Sequence, residues 1–249
     1  YLIKLGANLT ARNKWGSTPL HLAINWCHYH VIKCLISHGA SLGVTDKRGN
    51  TPLHIAARLG NLGIINFLLQ NEPPITAKNN EGYTPLHIAV RWGHMDVIKL
   101  FKQHGTNLTI YDNMNNSLLI IAATWGHLHV VRWLVQNEAV LTPNSKYFNL
   151  LLQVAVKWGH LEIVELCLKH RTSLSVCDDK GYTPLHMAAK CGHLEVSKTL
   201  VLHGASLTTY DEEGEMPVHV AIRWAQLHVV EMLVQFGSGL TALTEDGFT

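Results

Sequence analysis

Charge is scarce in this chain: Asp, Glu, Lys and Arg make up 15% of the residues, and the formal net charge is only +2. So small an imbalance excludes the basic footprint of a nucleic-acid binder. Long apolar runs are also missing, so direct membrane insertion is not expected. Cysteine is sparse and unpaired in its spacing: Cys27, Cys34, Cys167, Cys177 and Cys191. An odd, scattered set predicts reduced thiols and a cytoplasmic protein, not a disulfide framework. There is no glycine-rich phosphate loop and no nucleophile elbow, and the carboxylates are dispersed. These absences predict a non-enzymatic protein with no catalytic residues and no cofactor. Disorder is excluded as well, because 47% of the residues are hydrophobic.

What the chain does have is a period. Ala23, Ala56, Ala89, Ala122, Ala155, Ala188 and Ala221 recur every 33 residues without insertion or deletion. Thr18-Pro19-Leu20-His21, Thr51-Pro52-Leu53-His54, Thr84-Pro85-Leu86-His87 and Thr183-Pro184-Leu185-His186 are near-copies. A fixed period of this size means a stacked repeat architecture. Within each repeat a threonine can cap a helix whose first turn holds the proline, where a missing N–H costs little. Leu20, Ala23 and Ile24 share one helical face. Gly60, Gly93, Gly126, Gly159 and Gly192 end that helix, and a second apolar helix follows, as in Val31, Ile32, Leu35 and Ile36.

The Thr-Pro-Leu-His, Ala, Gly-His and Gly-Ala pattern resembles the ankyrin repeat, and the likeness covers essentially the whole chain. The resemblance implies an all-α solenoid of helix-turn-helix repeats with short β-hairpin or loop fingers. It also implies a protein–protein binding role. The expected layout is a single array over 1–249: a partial repeat 1–12, full repeats 13–45, 46–78, 79–111, 112–144, 145–177, 178–210 and 211–243, and the start of another at 244–249. Neither end carries a polar capping repeat, so a segment of a longer protein is expected.

Seventeen histidines invite a metal site. Ten of them fall at two repeat positions: His21, His54, His87, His186 and His219 after the proline, and His28, His94, His127, His160 and His193 after the helix break. The resemblance makes these structural, and no metal site is expected. The spacing of His127 and His129 faces them apart on a helix. Asp211, Glu212, Glu213 and Glu215 form the one concentrated acidic run, which is read as a solvated finger tip.

The residue before the Gly-His pair is unusual. It reads Trp26, Leu59, Trp92, Trp125, Trp158, Cys191 and Trp224, so five of seven tryptophans share one column. The residue before each is Asn25, Arg58, Arg91, Thr124, Lys157, Lys190 and Arg223, predominantly basic. By resemblance this column lines the concave groove. Two readings stand: each Trp packs on its neighbours, or the ribbon binds a partner, since Trp and Arg are favoured interface anchors. The partner-binding candidates are Trp92, Trp125, Trp158, Arg91, Lys157, Trp26, Trp224, Arg58 and Arg223. At helix spacings of roughly 8–10 Å, Trp92, Trp125 and Trp158 would span about 20 Å, enough for about six residues of an extended peptide.

Two repeats depart from the motif. Ser117-Leu118-Leu119-Ile120 and Leu150-Leu151-Leu152-Gln153 replace Thr-Pro-Leu-His. The finger glycine becomes Asn115 and then Phe148, and Pro143 falls between the two repeats. Asn tolerates positive φ, whereas Phe adopts it only under strain, so a distorted finger is expected there. Drift in a redundant array and a specialised partner site both account for this. The leading function is a scaffold or adaptor that binds a protein along the groove or fingers. The alternatives are a spring or spacer in a larger channel, and the targeting region of a larger enzyme or signalling protein.

Overall fold

The computed structural model describes residues 8–137 and 146–238. The chain divides into two compact units, Tyr1–Trp125 and Gly126–Thr249. The first holds α1 (Pro19–Asn25), α2 (Tyr29–Ser37), α3 (Pro52–Leu59), α4 (Leu62–Leu69), α5 (Pro85–Arg91), α6 (Met95–Gln103) and α7 (Leu118–Thr124). The second holds α8 (Leu128–Asn137), α9 (Lys146–Trp158), α10 (Leu161–Lys169), α11 (Pro184–Cys191), α12 (Leu194–Leu202), α13 (Pro217–Arg223) and α14 (Leu227–Gln235). In the first unit α1, α3, α5 and α7 pack in succession, and α2, α4 and α6 each pack on the helix they follow. In the second, α9, α11 and α13 form one row and α8, α10, α12 and α14 the other. The fold is all-α. Between the helices lie turns, with a single isolated bridge, Tyr111 to Ser117, among the described residues.

The first helix of each pair starts as its sequence dictates. Thr18, Thr51, Thr84 and Thr183 sit at the N-cap in extended backbone, and proline opens the helix. The histidine three residues on completes the cap. Its Nδ1 accepts the threonine amide at 3.2 Å in His21, 3.1 Å in His54 and His87, and 3.2 Å in His186. A free helix N-terminus leaves such amides without partners, so the short helices gain a satisfied donor each. Met216 takes the threonine's place before α13, and His219 still accepts its amide at 3.1 Å.

The first helix ends in a left-handed residue in every pair. Gly60, Gly93, Gly126, Gly159 and Gly192 have φ of 69–74°, and Cys27 and Ala225 adopt φ of 55° and 54° at the same place. Glycine serves a second purpose here. A Cβ on Gly60 would lie 2.7 Å from the His94 ring, and one on Gly159 would lie 2.8 Å from the His193 ring. The next histidine therefore packs flat on the glycine and donates across it: His94 Nε2 reaches Arg58 O at 3.0 Å and His193 Nε2 reaches Lys157 O at 3.1 Å. Where the position is Cys27, the opposing residue is the smaller Asn61, whose amide meets the sulfur at 3.6 Å.

The repeated alanines are buried in both units, each 0–4% exposed. The second helices bury Ile32, Ile65 and Ile98 in the first unit and Val131 and Val164 in the second. Ser197 occupies that same position on α12. It is fully buried and its hydroxyl has no hydrogen-bond partner. An unsatisfied buried hydroxyl costs about 1–3 kcal/mol.

The fingers are closed by short hydrogen-bonded turns, as in Gly49 N to Asp46 O at 3.0 Å, and the Asp46 carboxylate accepts the amides of Arg48 and Asn50. Neighbouring fingers are laced by the backbone: Lys47 N to Trp15 O, Asn80 N to Arg48 O and Asn113 N to Glu81 O in the first unit, and Glu212 N to Lys180 O in the second. Asn115 adopts the left-handed conformation of the finger glycines, with φ of 62°.

Two expectations are corrected. Phe148 is not a strained finger residue: α9 starts at Lys146, so Phe148 lies inside a helix, buried and stacked on His170 at 4.6 Å. Helix has replaced the end of the finger, because the run from Tyr147 to Val156 is apolar on one face and free of proline and glycine. Pro143 lies outside the described residues. The acidic run is not wholly a solvated tip either. Glu212 and Glu213 are exposed, but Asp211 and Glu215 are buried, and Glu215 pairs with Arg223 at 2.5 Å.

Ser197→Val restores the branched aliphatic residue found at the equivalent positions. It is expected to raise stability by about 1–2 kcal/mol, read as a higher urea midpoint. A midpoint equal to or below wild type contradicts the assignment of Ser197 as an unsatisfied core position.

Candidate functional site

The column tryptophans stand at the end of the first helices. Trp26, Trp92, Trp125 and Trp224 are C-cap residues, and Trp158 is the last residue of α9. Trp26 is 68% exposed and the other four are 49–53% exposed, although α1, α3, α5, α7, α9, α11 and α13 bury their alanines completely or nearly so. The rings are thus neither core nor free.

Cations lie against three of these rings. The Arg91 guanidinium lies 5.6 Å from the Tyr83 ring and 4.8 Å from the Trp125 ring. Lys190 repeats the arrangement in the second unit, 5.3 Å from Tyr182 and 4.8 Å from Trp224. Each of these cations therefore sits between a tyrosine of its own finger and the tryptophan 34 residues on. Such contacts contribute about 0.5–1 kcal/mol when exposed. Lys157 lies 6.0 Å from the Trp158 ring that follows it.

The cations differ in their counter-charges. Arg91 meets Glu81 at 3.3 Å, and Arg223 pairs with both Glu213 and Glu215. The Arg223 guanidinium holds the Glu213 carboxyl below its usual range. Arg58 donates to Asn25 Oδ1 at 2.6 Å, and no ion pair to Lys157 or Lys190 is found among the described residues.

In the first unit these residues line an open groove between the first helices and the fingers. Its walls include Trp26, Arg58, Arg91 and Trp92 from the helices, and Trp15, Arg48 and Glu81 from the fingers. In the second unit a smaller cavity of ≈ 200 Å³ lies between α9 and α11, lined by Leu150, Val154, Lys157, Tyr182, Pro184 and Met187. The structure brings Trp26, Arg58, Arg91 and Trp92 to one groove. It places Trp125 against Arg91 and sets Lys157 at the second unit's cavity. Arg223 is occupied by its two glutamates.

The repeated helix pair, the histidine-capped helix starts and the laced fingers now stand beside a direct comparison. The family model for ankyrin repeats (3 copies) matches residues 1–79, 71–146 and 150–244. The chain belongs to the ankyrin-repeat family. No curated protein matches this sequence. Ankyrin repeats are generally protein–protein interaction modules, which is the functional level the family supports. No helix among the described residues is long and apolar enough to cross a membrane.

Sequence reasoning marked the ankyrin tryptophans but not their aromatic partners. Tyr83 and Tyr182 both follow a finger glycine, a position that holds other residues in the remaining repeats. Trp15 was also missed. It sits at a finger tip, outside the column, and periodicity gives no warning of it.

The histidines act as hooks. With Nδ1 accepting from the threonine amide, Nε2 carries the proton and donates forward: His21 to Asn50 O at 3.1 Å, His54 to Tyr83 O at 2.8 Å, His186 to Glu215 O at 3.0 Å. His87 is buried in the same way, but its Nε2 has no partner. The next finger is the one that departs from the motif, with Asn115-Asn116-Ser117. His127 and His129 rings come within 6.0 Å, closer than helical spacing implies, because His127 precedes α8 and is not bound by its rotation per residue. Among the described residues no three His, Cys, Asp or Glu side chains gather as a metal site. All five cysteines are free thiols, and burial pushes the Cys167 thiol up to about 12.

Burial also lowers the pKa of His21, His54 and His186, and lowers that of His87 from 6.5 to about 4. The neutral form is favoured by folding. The stability each contributes is complete above about pH 6.5, is lost as pH falls from there, and for His87 stops falling below about pH 4. For His87 the full loss is about 3 kcal/mol, of which about 2 kcal/mol is gone by pH 5. Urea midpoints between pH 7.5 and 5 should therefore fall steeply in wild type and less steeply in His87→Gln. Equal slopes contradict the reading of His87 as a buried neutral cap residue.

Proposed function

We propose that this chain is a scaffold or adaptor module, without enzymatic activity, that binds an extended segment of a protein partner along the face between its first helices and its fingers. The contact residues are Trp26, Arg58, Arg91, Trp92 and Trp125 in the first unit, and Lys157, Trp158, Arg223 and Trp224 in the second. The observation that carries the reading is the exposure of five tryptophans at one repeated position, three of which, Trp125, Trp158 and Trp224, lie against a cation. Contiguous aromatic exposure on a soluble protein marks an interaction surface. At Trp125, Trp158 and Trp224 the cation orients the ring before a partner arrives, which lowers the entropic cost of binding. The repeat boundaries 13–45 to 211–243 belong to the same proposal, supported by hydrogen bonds between residues 33 apart, such as Arg58 to Asn25 and Asn113 to Asn80. The five free thiols support a reducing, cytoplasmic setting.

A partner recovered by affinity purification with wild type tests the proposal. A central Trp anchor is worth about 2 kcal/mol or more, so Trp125→Ala should weaken that partner about thirtyfold by calorimetry. A lower melting temperature with unchanged affinity would show that this ring only packs.

A further inference from the structure

The cavity between α9 and α11 lies where the repeat pattern fails. The N-cap hydroxyl that opens α1, α3, α5, α7 and α11 is replaced by Leu150, and the hook histidine of α1, α3, α5, α11 and α13 is replaced by Gln153. Because α9 begins at Lys146, Leu150 is carried on a helix and stands exposed over the gap. Leu150, Val154, Tyr182, Pro184 and Met187 give the cavity mainly apolar walls. Its ≈ 200 Å³ is below the roughly 300–1,000 Å³ of small-molecule sites, and suits one large side chain.

The charge around it is uneven. α9 supplies Lys157 at the cavity and α11 supplies Lys190, which lies 5.3 Å from the Tyr182 ring that walls it. Neither lysine has an ion-pair partner among the described residues, in contrast to Arg91 and Arg223. The one carboxylate lining the cavity, Asp178, is engaged by its own finger: its Oδ1 accepts the amides of Lys180 at 2.9 Å and Tyr182 at 3.0 Å.

We infer that this cavity is a specificity pocket for an extended protein segment carrying one leucine-sized aliphatic side chain with a carboxylate two residues from it. The aliphatic group fills the apolar walls and the carboxylate meets Lys157 and Lys190. Side chains two apart in an extended segment share a face and lie roughly 6–7 Å from each other, which keeps both within one pocket and its rim. The motif breakdown in this repeat then serves partner selection. The inference rests on the groove reading and names its partner chemistry.

The test is selection of a random 12-residue peptide library displayed on phage against the folded protein, followed by fluorescence polarisation with the enriched peptides. The expected sequences hold a Leu, Ile or Met with Asp or Glu two positions away. Replacing that aliphatic residue by Ala, or using Lys157→Glu/Lys190→Glu or Val154→Phe protein, should each weaken binding at least tenfold. Lys99→Ala, at an exposed position on α6 in the other unit, should change it less than twofold. Raising NaCl from 50 to 300 mM should weaken it severalfold, as expected when exposed charges are screened. The lysine variant alters surface residues, and matching thermal melts confirm that it is folded. Enriched peptides that respond to Trp92→Ala and not to the lysine pair overturn the pocket and leave the groove reading standing. Peptides indifferent to every variant overturn both. Enrichment of sequences without the acid–aliphatic pair, or none above bare support, overturns the pocket.

Discussion

The structure depends on one close approach. Successive first helices meet on alanine, a side chain small enough to let them stack, and Ala23, Ala56 and Ala89 in one unit and Ala155, Ala188 and Ala221 in the other are all buried. Once that contact recurs every 33 residues, every other position meets its own equivalent at a fixed offset. Arg12 reaches Thr45, Asn80 reaches Lys47 and Lys78 reaches Tyr111, each across 33 residues. Stability in such a stack is a sum of neighbour terms. A repeated surface residue therefore becomes a column whether or not selection acts on the column as such.

The neighbour terms explain why motif loss is felt one repeat away. His87 sits in a repeat with an intact Thr-Pro-Leu-His, and its cap is formed. Its fault is at Nε2, which should donate to the following finger, and that finger is the one reading Asn115-Asn116-Ser117. The same logic applies to the helix-break glycine. Its lack of a Cβ is required by the histidine of the next repeat, so Cys27 is tolerated only opposite the smaller Asn61. Each repeat's sequence is partly a statement about its successor.

Much of this was legible in the sequence because it is periodic. The buried alanines, the threonine caps and the left-handed glycines follow from counting, and each is found within its own unit. What counting missed depends on where a helix chooses to begin or a side chain to turn. Period alone aligned Phe148 with finger glycines. Helix formation through Asn149, Leu150, Leu151 and Leu152 overrode that alignment. The acidic finger looked solvated as a string of letters, yet its two ends, Asp211 and Glu215, turn inward and are buried, while Glu212 and Glu213 at the tip stay outside. The tryptophan column was legible as a column. Its cation partners were not, since Arg91 and Lys190 meet rings 34 residues away through rotamers no pattern encodes.

Those partners bear on how a half-exposed tryptophan is tolerated and used. A bare aromatic column invites aggregation, and a buried one binds nothing. A cation resting on one face keeps the indole oriented and hydrated on its charged side while leaving an edge open. The counter-charges then make equivalent positions unequal. Arg91 and Arg223 are already balanced by glutamates of their own fingers, so a partner gains little Coulomb energy from them. Lys157 and Lys190 are not so balanced, and they stand beside the one apolar cavity described between two first helices of the second unit. A uniform repeat offers a uniform surface and no register for a ligand. Specificity in such a surface has to come from the places where the repeat fails, and in the second unit the lost threonine, the lost histidine and the unbalanced lysines fall together.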